Sequence, residues 1–116
     1  MRTAFAGVAA LLLLGACAGR DAATSAPAAS AAAKVSVHDF AFGPKTIRVK
    51  TGGTVTWTNR DDFDHAVQID SLDLAGPKFG PQTSPATYAH RFSKPGMYLY
   101  ICGIHNSMTG TVIVTR

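Results

Sequence analysis

The residues with the clearest chemical potential lie close together near the end of the chain. Cys102, His105 and Met108 follow one another at three-residue intervals, and His65 lies 37 residues before Cys102. Thiolate, imidazole and thioether groups are ligands for soft and intermediate metal ions. The spacing therefore predicts one metal site formed by His65, Cys102, His105 and Met108. The ordinary alternatives are an inert buried thiol, surface histidines and a methionine that fills the core.

The donor set also indicates which metal is bound. Zinc structural sites take four thiolate or imidazole ligands, and a thioether adds little to an ion of fixed charge. Two histidines and one cysteine in a plane, with a weak and distant methionine, are typical of blue copper. We therefore predict one mononuclear type 1 copper that cycles between Cu(I) and Cu(II). Such a centre has no open coordination position, and the sequence shows no nucleophile paired with a base, so an enzyme is not expected.

Two functions fit this centre. The first is an electron carrier, in which a small apolar surface around His105 docks briefly with redox proteins. We expect that surface to contain Gly103, Ile104 and either Pro77 or Phe79. The second is a copper carrier or buffer that delivers copper to a cuproenzyme. Retention of the metal through redox cycles favours the first function, and ready release to a chelator favours the second.

The segments that position these ligands alternate between apolar and polar residues, which is the period of half-buried β-strands. Strands are predicted at residues 35–38, 46–50, 54–58, 65–69, 87–92, 97–101 and 109–115. Turns are predicted at Gly52–Gly53, Pro95–Gly96 and near Ser71–Leu74, and residues 70–85 form a long loop. About seven short strands without a long helical segment predict an all-β sandwich.

Other residues are expected to have structural roles. The aromatic residues Phe42, Trp57 and Phe92 are expected in the core, and Met97, Tyr98, Leu99 and Tyr100 are expected to pack on both faces of their strand. His38 and His90 are expected at the surface. Asn59 and Asp61 are expected to form local hydrogen bonds in a turn, with a role behind the metal ligands as the alternative.

The start of the chain has a different composition from the rest. Arg2 precedes an apolar stretch that ends at Leu14, which is too short to cross a membrane and is typical of a secretory signal. The sequence Leu14-Gly-Ala-Cys17 resembles the lipobox of bacterial lipoproteins. That resemblance implies a lipid on Cys17, a membrane anchor and a periplasmic location. The alternatives are ordinary cleavage after Ala18, which would remove Cys17, and a disulfide between Cys17 and Cys102.

The chain is therefore divided into a signal peptide at residues 1–16, a lipidated cysteine and flexible alanine-rich tether at 17–33, and one domain at 34–116. The 116 residues carry a formal net charge of +4. The charges are scattered rather than clustered in a basic run, so nucleic-acid binding is not expected. We expect a monomer that contacts redox proteins and, through its anchor, a membrane.

The ligand loop and three other segments resemble one family. Cys-x2-His-x2-Met is similar to the short ligand loop of amicyanin-like cupredoxins, and plastocyanins have a longer gap before the methionine. Phe40–Pro44, Val49–Asn59 and Gly96–Cys102 also look like cupredoxin segments. The resemblance implies a Greek-key β-sandwich and electron transfer. Ala66 departs from the family, where a polar residue after the first histidine braces the ligand loop, and only its backbone N–H remains to reach the Cys102 sulfur.

Overall fold

Valine, threonine and aromatic residues dominate the segments that form the sheet, as expected of strands with one covered face. The computed structural model describes residues 29–116. Its strands are β1 (Ser30–His38), β2 (Ala41–Gly43), β3 (Thr46–Asn59), β4 (Val67–Ile69), β5 (Leu74–Ala75), β6 (Thr87–Arg91), β7 (Gly96–Cys102) and β8 (Thr109–Thr115), with one short 3₁₀ helix at Asp70–Leu72. The predicted all-β fold is confirmed. No helix among the described residues is long and apolar enough to cross a membrane.

Strand β3 joins the two layers of the sandwich. Its first half, up to Lys50, pairs in parallel with β8, and its second half, from Thr54, pairs with β1 and β6. Strands β8, β7, β4 and β5 continue the first layer, and β2 extends the second beyond β1. The turn predicted at Gly52–Gly53 is therefore the place inside β3 where the chain passes between layers.

Glycine is required at that crossing. Gly52 has a φ of +83°, which L side chains rarely adopt, and a Cβ on Gly53 would lie 2.3 Å from the Val49 Cγ2 atom. The same Cβ would lie 2.8 Å from the backbone oxygens of Ala31 and Lys50. The close backbone approach fixes where the two layers meet.

The core lies between the layers. Trp57 is fully buried on β3, and Tyr100 on β7 packs against it with ring centroids 5.4 Å apart. Phe42 and Phe92 are also buried, which confirms the core predicted from the aromatic residues. Burial raises the pKa of Tyr100 to about 12, so its phenol stays neutral inside the domain.

Two local expectations are wrong. The tether was expected to reach residue 33, but β1 begins at Ser30, and Ala32 and Ala33 pair with Thr54 and Val55. These alanines are recruited because the facing half of β3 supplies backbone partners. Met97 and Leu99 do not pack, since they are 68% and 67% exposed on the outer face of β7. The predictions for residues 1–28, including the signal peptide and the lipid on Cys17, lie outside the described residues.

The long loop predicted at residues 70–85 is partly structured. Its first turn is the 3₁₀ helix, close to the turn predicted near Ser71–Leu74, and β5 follows it. Further on, Phe79 pairs with His65 as an isolated antiparallel bridge. This loop therefore fixes the backbone of His65, one of the residues predicted to bind metal, through Phe79.

Candidate metal centre

The loop between β7 and β8 brings the thiol and one imidazole together. Cys102 ends β7, and its sulfur accepts hydrogen bonds from the backbone N–H groups of Ile104, at 3.5 Å, and His105, at 3.4 Å. The loop is closed by two backbone hydrogen bonds, from Cys102 N–H to the Met108 carbonyl and from Met108 N–H to the His105 carbonyl, both 3.0 Å. Two N–H groups directed at one sulfur hold it in place at the end of β7.

His65 comes from a different part of the chain and is held in place by its backbone. Its N–H donates to the Phe79 carbonyl at 3.1 Å, and the Phe79 N–H donates back at 2.8 Å. This bridge buries the His65 side chain completely and leaves its Nδ1 atom 3.7 Å from the Cys102 sulfur. The imidazole is therefore fixed beside the thiol by residues far apart in sequence.

Three donor atoms converge at this point. The Nδ1 atom of His105 is 4.0 Å from the Cys102 sulfur, and the ligand atoms of His65, Cys102 and His105 all lie within 4.8 Å of one another. Metal–nitrogen and metal–sulfur bonds of about 2.0 and 2.3 Å would place two ligands of one ion roughly 3.5–4 Å apart. The spacing therefore suits a single ion bound by all three residues.

Met108 lies at the same end of the domain. It is 3% exposed, and its backbone is tied to both Cys102 and His105 by the hydrogen bonds that close the loop. A buried thioether in this position fits either a weak fourth ligand or a core side chain. The structure thus brings all four predicted ligand residues to one place, with only His105 among them partly exposed.

Asp61 has the role behind the metal ligands that the sequence offered as the alternative to a local hydrogen bond in a turn. Its Oδ2 atom lies 2.8 Å from the Nε2 atom of His65, on the side of the ring away from the sulfur. Burial acts to raise the pKa of Asp61, but hydrogen bonds from the Phe40 N–H and from His65 outweigh it and leave the pKa below its ordinary value of 3.8. A carboxylate that accepts the Nε2 proton keeps Nδ1 free as a metal ligand.

Asn59 holds the segment that carries Asp61. Its side-chain oxygen accepts from the Asp61 N–H at 2.8 Å, which is the local turn bond expected from the sequence. Its amide nitrogen also donates to the carbonyls of Phe63, at 2.8 Å, and Phe79, at 2.9 Å. One buried amide therefore connects the Asp61 turn to the bridge that positions His65.

Phe40 covers both histidines, a role that the sequence analysis missed. Its ring lies edge-on to His65 and His105, with centroids 5.4 and 5.0 Å away, and it contacts Phe63 at 5.7 Å. Phe40, Phe63 and Ile104 are each at least 40% exposed, so an apolar surface surrounds His105. Phe40 lies in the turn before β2 with a φ of +56°, whereas alternation along Phe40-Ala-Phe42 would place both rings on one face, so no local pattern signalled its outer position.

Two expectations about the surroundings of the site are corrected. Phe79 is 1% exposed and belongs to the core, because its backbone pairing with His65 draws its ring inward, so it adds nothing to the apolar surface. Among the described residues, the N–H groups bonded to the Cys102 sulfur are those of Ile104 and His105, not that of Ala66. The Ala66 carbonyl instead accepts from the Gly103 N–H at 3.1 Å, so a backbone bond braces the ligand loop.

A β-sandwich with one thiol and two imidazoles converging at its end defines a class of protein with a single metal centre for soft and intermediate ions. Comparisons with known proteins show which family this is. The model of the Cupredoxin-like domain matches residues 6–114, and the chain belongs to the cupredoxin family. It is a type 1 copper protein of the electron-transfer kind and not an enzyme.

Individual relatives agree with this assignment. Amicyanin-alpha of Methylorubrum extorquens is 36% identical over 99 residues, covering 81% of this chain and 79% of the relative. The chloroplastic plastocyanin of Tetradesmus obliquus is 31% identical over 107 residues, covering 84% and 74%. A solved structure of an amicyanin variant in its reduced Cu(I) form has a TM-score of 0.64 and 31% identity, covering 75% of this chain and 85% of that one.

Proposed function

We propose that His65, Cys102, His105 and Met108 bind the copper, and that the protein carries single electrons between redox partners in the bacterial periplasm while a lipid on Cys17 attaches it to a membrane. The convergence of the His65, Cys102 and His105 donor atoms supports this most directly. The donor set fits copper, because thiolate and thioether suit Cu(I) while imidazole suits both oxidation states. Bound copper supplies the one-electron chemistry.

The residues around the ligands limit how far they move when the charge of the site changes. The N–H groups of Ile104 and His105 stabilise the negative charge of the Cys102 thiolate, and Asp61 holds the His65 ring. Both ligand segments are also closed by backbone hydrogen bonds. Ligands held in this way need little rearrangement between oxidation states, which favours fast and reversible electron transfer.

His105 is the proposed exit for the electron. It is the one partly exposed residue of the four proposed ligands, and the apolar side chains of Phe40, Phe63 and Ile104 lie beside it. A small apolar surface suits the brief docking of redox proteins, whose interfaces are at the low end of the size range. The complete burial of His65 and Cys102 also favours retention of copper over its delivery to another protein.

The visible spectrum after addition of Cu(II) tests the ligand set. We expect an intense thiolate-to-copper band that disappears in Cys102→Ala and persists in Ser107→Ala, a matched control in an exposed position of the same loop. A colourless protein, or a band that survives Cys102→Ala, would overturn the proposal. Competition with a Cu(I) chelator through repeated redox cycles separates the two functions, since ready loss of copper would favour delivery.

The anchor is tested separately. Because β1 begins at Ser30, residues 18–29 are left as the tether, with a reach of about 40 Å when fully extended. We expect labelled palmitate to be incorporated into the protein and the label to be lost in Cys17→Ser. An unlabelled protein that is released in soluble form would refute anchoring without affecting the copper site.

A further inference from the structure

The sandwich has two ends, and the chain enters at the one without the metal centre. Cys102 and Thr109 mark the metal-site end of β7 and β8, whereas Gly96 pairs with Val114 at the opposite end. The seven residues of β7 separate the two ends by about 20 Å. Ser30 pairs with Val49, which in turn pairs with Val114, so the first strand starts at this far end.

Exposed cations are gathered at the far end. Lys50 pairs with Thr115, next to Arg116, and Arg91 donates to the Gly52 carbonyl at 3.0 Å. Lys94 follows Phe92, whose backbone is bonded to Gly52 and Gly53. All four cations, Lys50, Arg91, Lys94 and Arg116, are exposed, and within residues 29–116 every ion pair involves a histidine rather than one of them.

Most of the carboxylates lie at the metal-site end. Asp39, Asp61, Asp62 and Asp64 lie in the segments around the metal centre. Asp70 and Asp73 line a depression with Gln68 and Ala75, and Leu74 separates it from the groove that Arg91 and Lys94 line. Within the described part of the chain, none of these carboxylates forms an ion pair with a cation of the far end.

A groove and an apolar surface accompany these cations. The groove has a volume of about 370 Å³. It is lined by the cations Arg91 and Lys94 and by the apolar or aromatic residues Leu72, Leu74 and Tyr98. Leu72 is 40% exposed at this groove, whereas Met97 lies on the outer face of β7 in a separate depression that it shares with Asp70. Cations beside exposed apolar side chains are the combination that binds the surface of an anionic bilayer.

We propose that the far end is a membrane-contact surface that binds anionic phospholipid headgroups through Lys50, Arg91 and Lys94, and so directs the metal centre away from the bilayer. This inference rests on the proposed anchor, because a tether that ends at Ser30 brings this end to the membrane first. Each cation near an anionic surface strengthens attraction roughly five-fold at low salt. Three cations together give an orienting preference that salt weakens.

Lysine labelling on vesicles tests the contact with its own internal control. The lipidated protein is placed on phosphatidylcholine vesicles with or without phosphatidylglycerol, treated with an amine-reactive reagent and analysed by mass spectrometry. We expect labelling of Lys50 and Lys94 to slow several-fold on the anionic vesicles. Lys45 and Lys78, which line depressions next to the metal centre, should label at unchanged rates. High salt should abolish the difference.

A pair of variants sharpens the result. Arg91→Glu should remove most of the protection at Lys50 and Lys94, whereas Lys78→Glu at the metal-site end should leave it unchanged. Equal labelling of all four lysines on both vesicles, or protection of Lys45 and Lys78 instead, would overturn the inference. If the protein failed to float with neutral vesicles, only the lipid anchor would be refuted, because protection of Lys50 and Lys94 by added anionic vesicles could still be measured. The visible copper band reports separately on the metal site.

Discussion

Replacing Asp61 by alanine should weaken copper binding while the domain stays folded. The Asp61 carboxylate accepts the Nε2 proton of His65 at 2.8 Å and the backbone N–H groups of Asp39, at 2.7 Å, and Phe40, at 3.0 Å. The two backbone groups are in exposed positions, where water replaces the lost acceptor. The His65 side chain is wholly buried, so its Nε2 proton would lose its acceptor without replacement.

The size of the effect follows from that burial. A buried donor left without an acceptor costs about 1–3 kcal/mol. The metal-binding tautomer of His65 carries its proton on Nε2, so this free-energy cost falls on that tautomer. The cost corresponds to a loss of roughly 5- to 150-fold in affinity for copper. Removal of the group behind a metal-bound histidine typically costs about 10- to 100-fold, which lies inside this range.

Competition with a Cu(I) chelator measures the affinity, and urea unfolding of the copper-free protein measures what the change costs the fold. Asp61→Asn keeps one acceptor oxygen and should lose less affinity than Asp61→Ala. Asp62→Ala is the matched control, since Asp62 is an exposed neighbour. Wild-type affinity in Asp61→Ala, or an equal loss in Asp62→Ala, would show that the contact does not position the ligand.

Three further predictions concern the packing, the surface and the acid stability. Gly110→Ala would place a Cβ 2.3 Å from the Tyr100 Cζ atom, and this overpacking should cost about 1–3 kcal/mol in urea unfolding, with Tyr100→Leu in the same chain restoring part of it. Ile104→Lys should slow electron self-exchange, measured by NMR line broadening at low salt, about tenfold without altering the visible spectrum, because two like charges meet when two copies dock. Burial acts to raise the pKa of Asp64, but hydrogen bonds from Thr83 and the Gln82 N–H lower it overall. The contribution of Asp64 to stability is therefore full above its ordinary pKa of 3.8 and is lost as the pH falls through the lower pKa of the folded state. Below pH 4, the urea midpoint of Asp64→Asn should fall less steeply with pH than that of the wild type.

The sequence predicted the parts of the fold that depend on local alternation. Strands β6, β7 and β8 were predicted within one residue of their observed ends, because their side chains alternate and turn residues bound them. Strands β2 and β5 were missed, since three and two residues are too few to show a period. Alternation also failed on β7, where both faces carry large apolar residues and periodicity does not indicate which face is covered.

The ligands themselves were identifiable from residue type and spacing, but the groups that support them were less so: a role behind the ligands was only the alternative for Asp61, and Phe40 was not given one. Asp61 lies four residues before His65 in an irregular segment, and its role depends on how that segment folds back on itself. Phe40 reaches His105 across 65 positions of sequence. Such contacts arise because the turn between β1 and β2 lies against the ligand loop, and no local pattern reports that.

The opposite placement of the two ends restricts which partners the protein can serve. On the proposed arrangement, the far end contacts headgroups and His105 lies at the other end of β7, about 20 Å further from the bilayer. A redox centre buried at membrane depth is therefore out of reach while the far end stays bound. Electrons must pass to soluble partners, or to membrane proteins whose redox centres stand well above the headgroups. A partner whose redox centre lies at membrane depth would require the far end to detach first. Electron transfer to such a partner should then become faster as salt weakens the contact between the far end and the headgroups. Electron transfer to a soluble partner should not depend on that release.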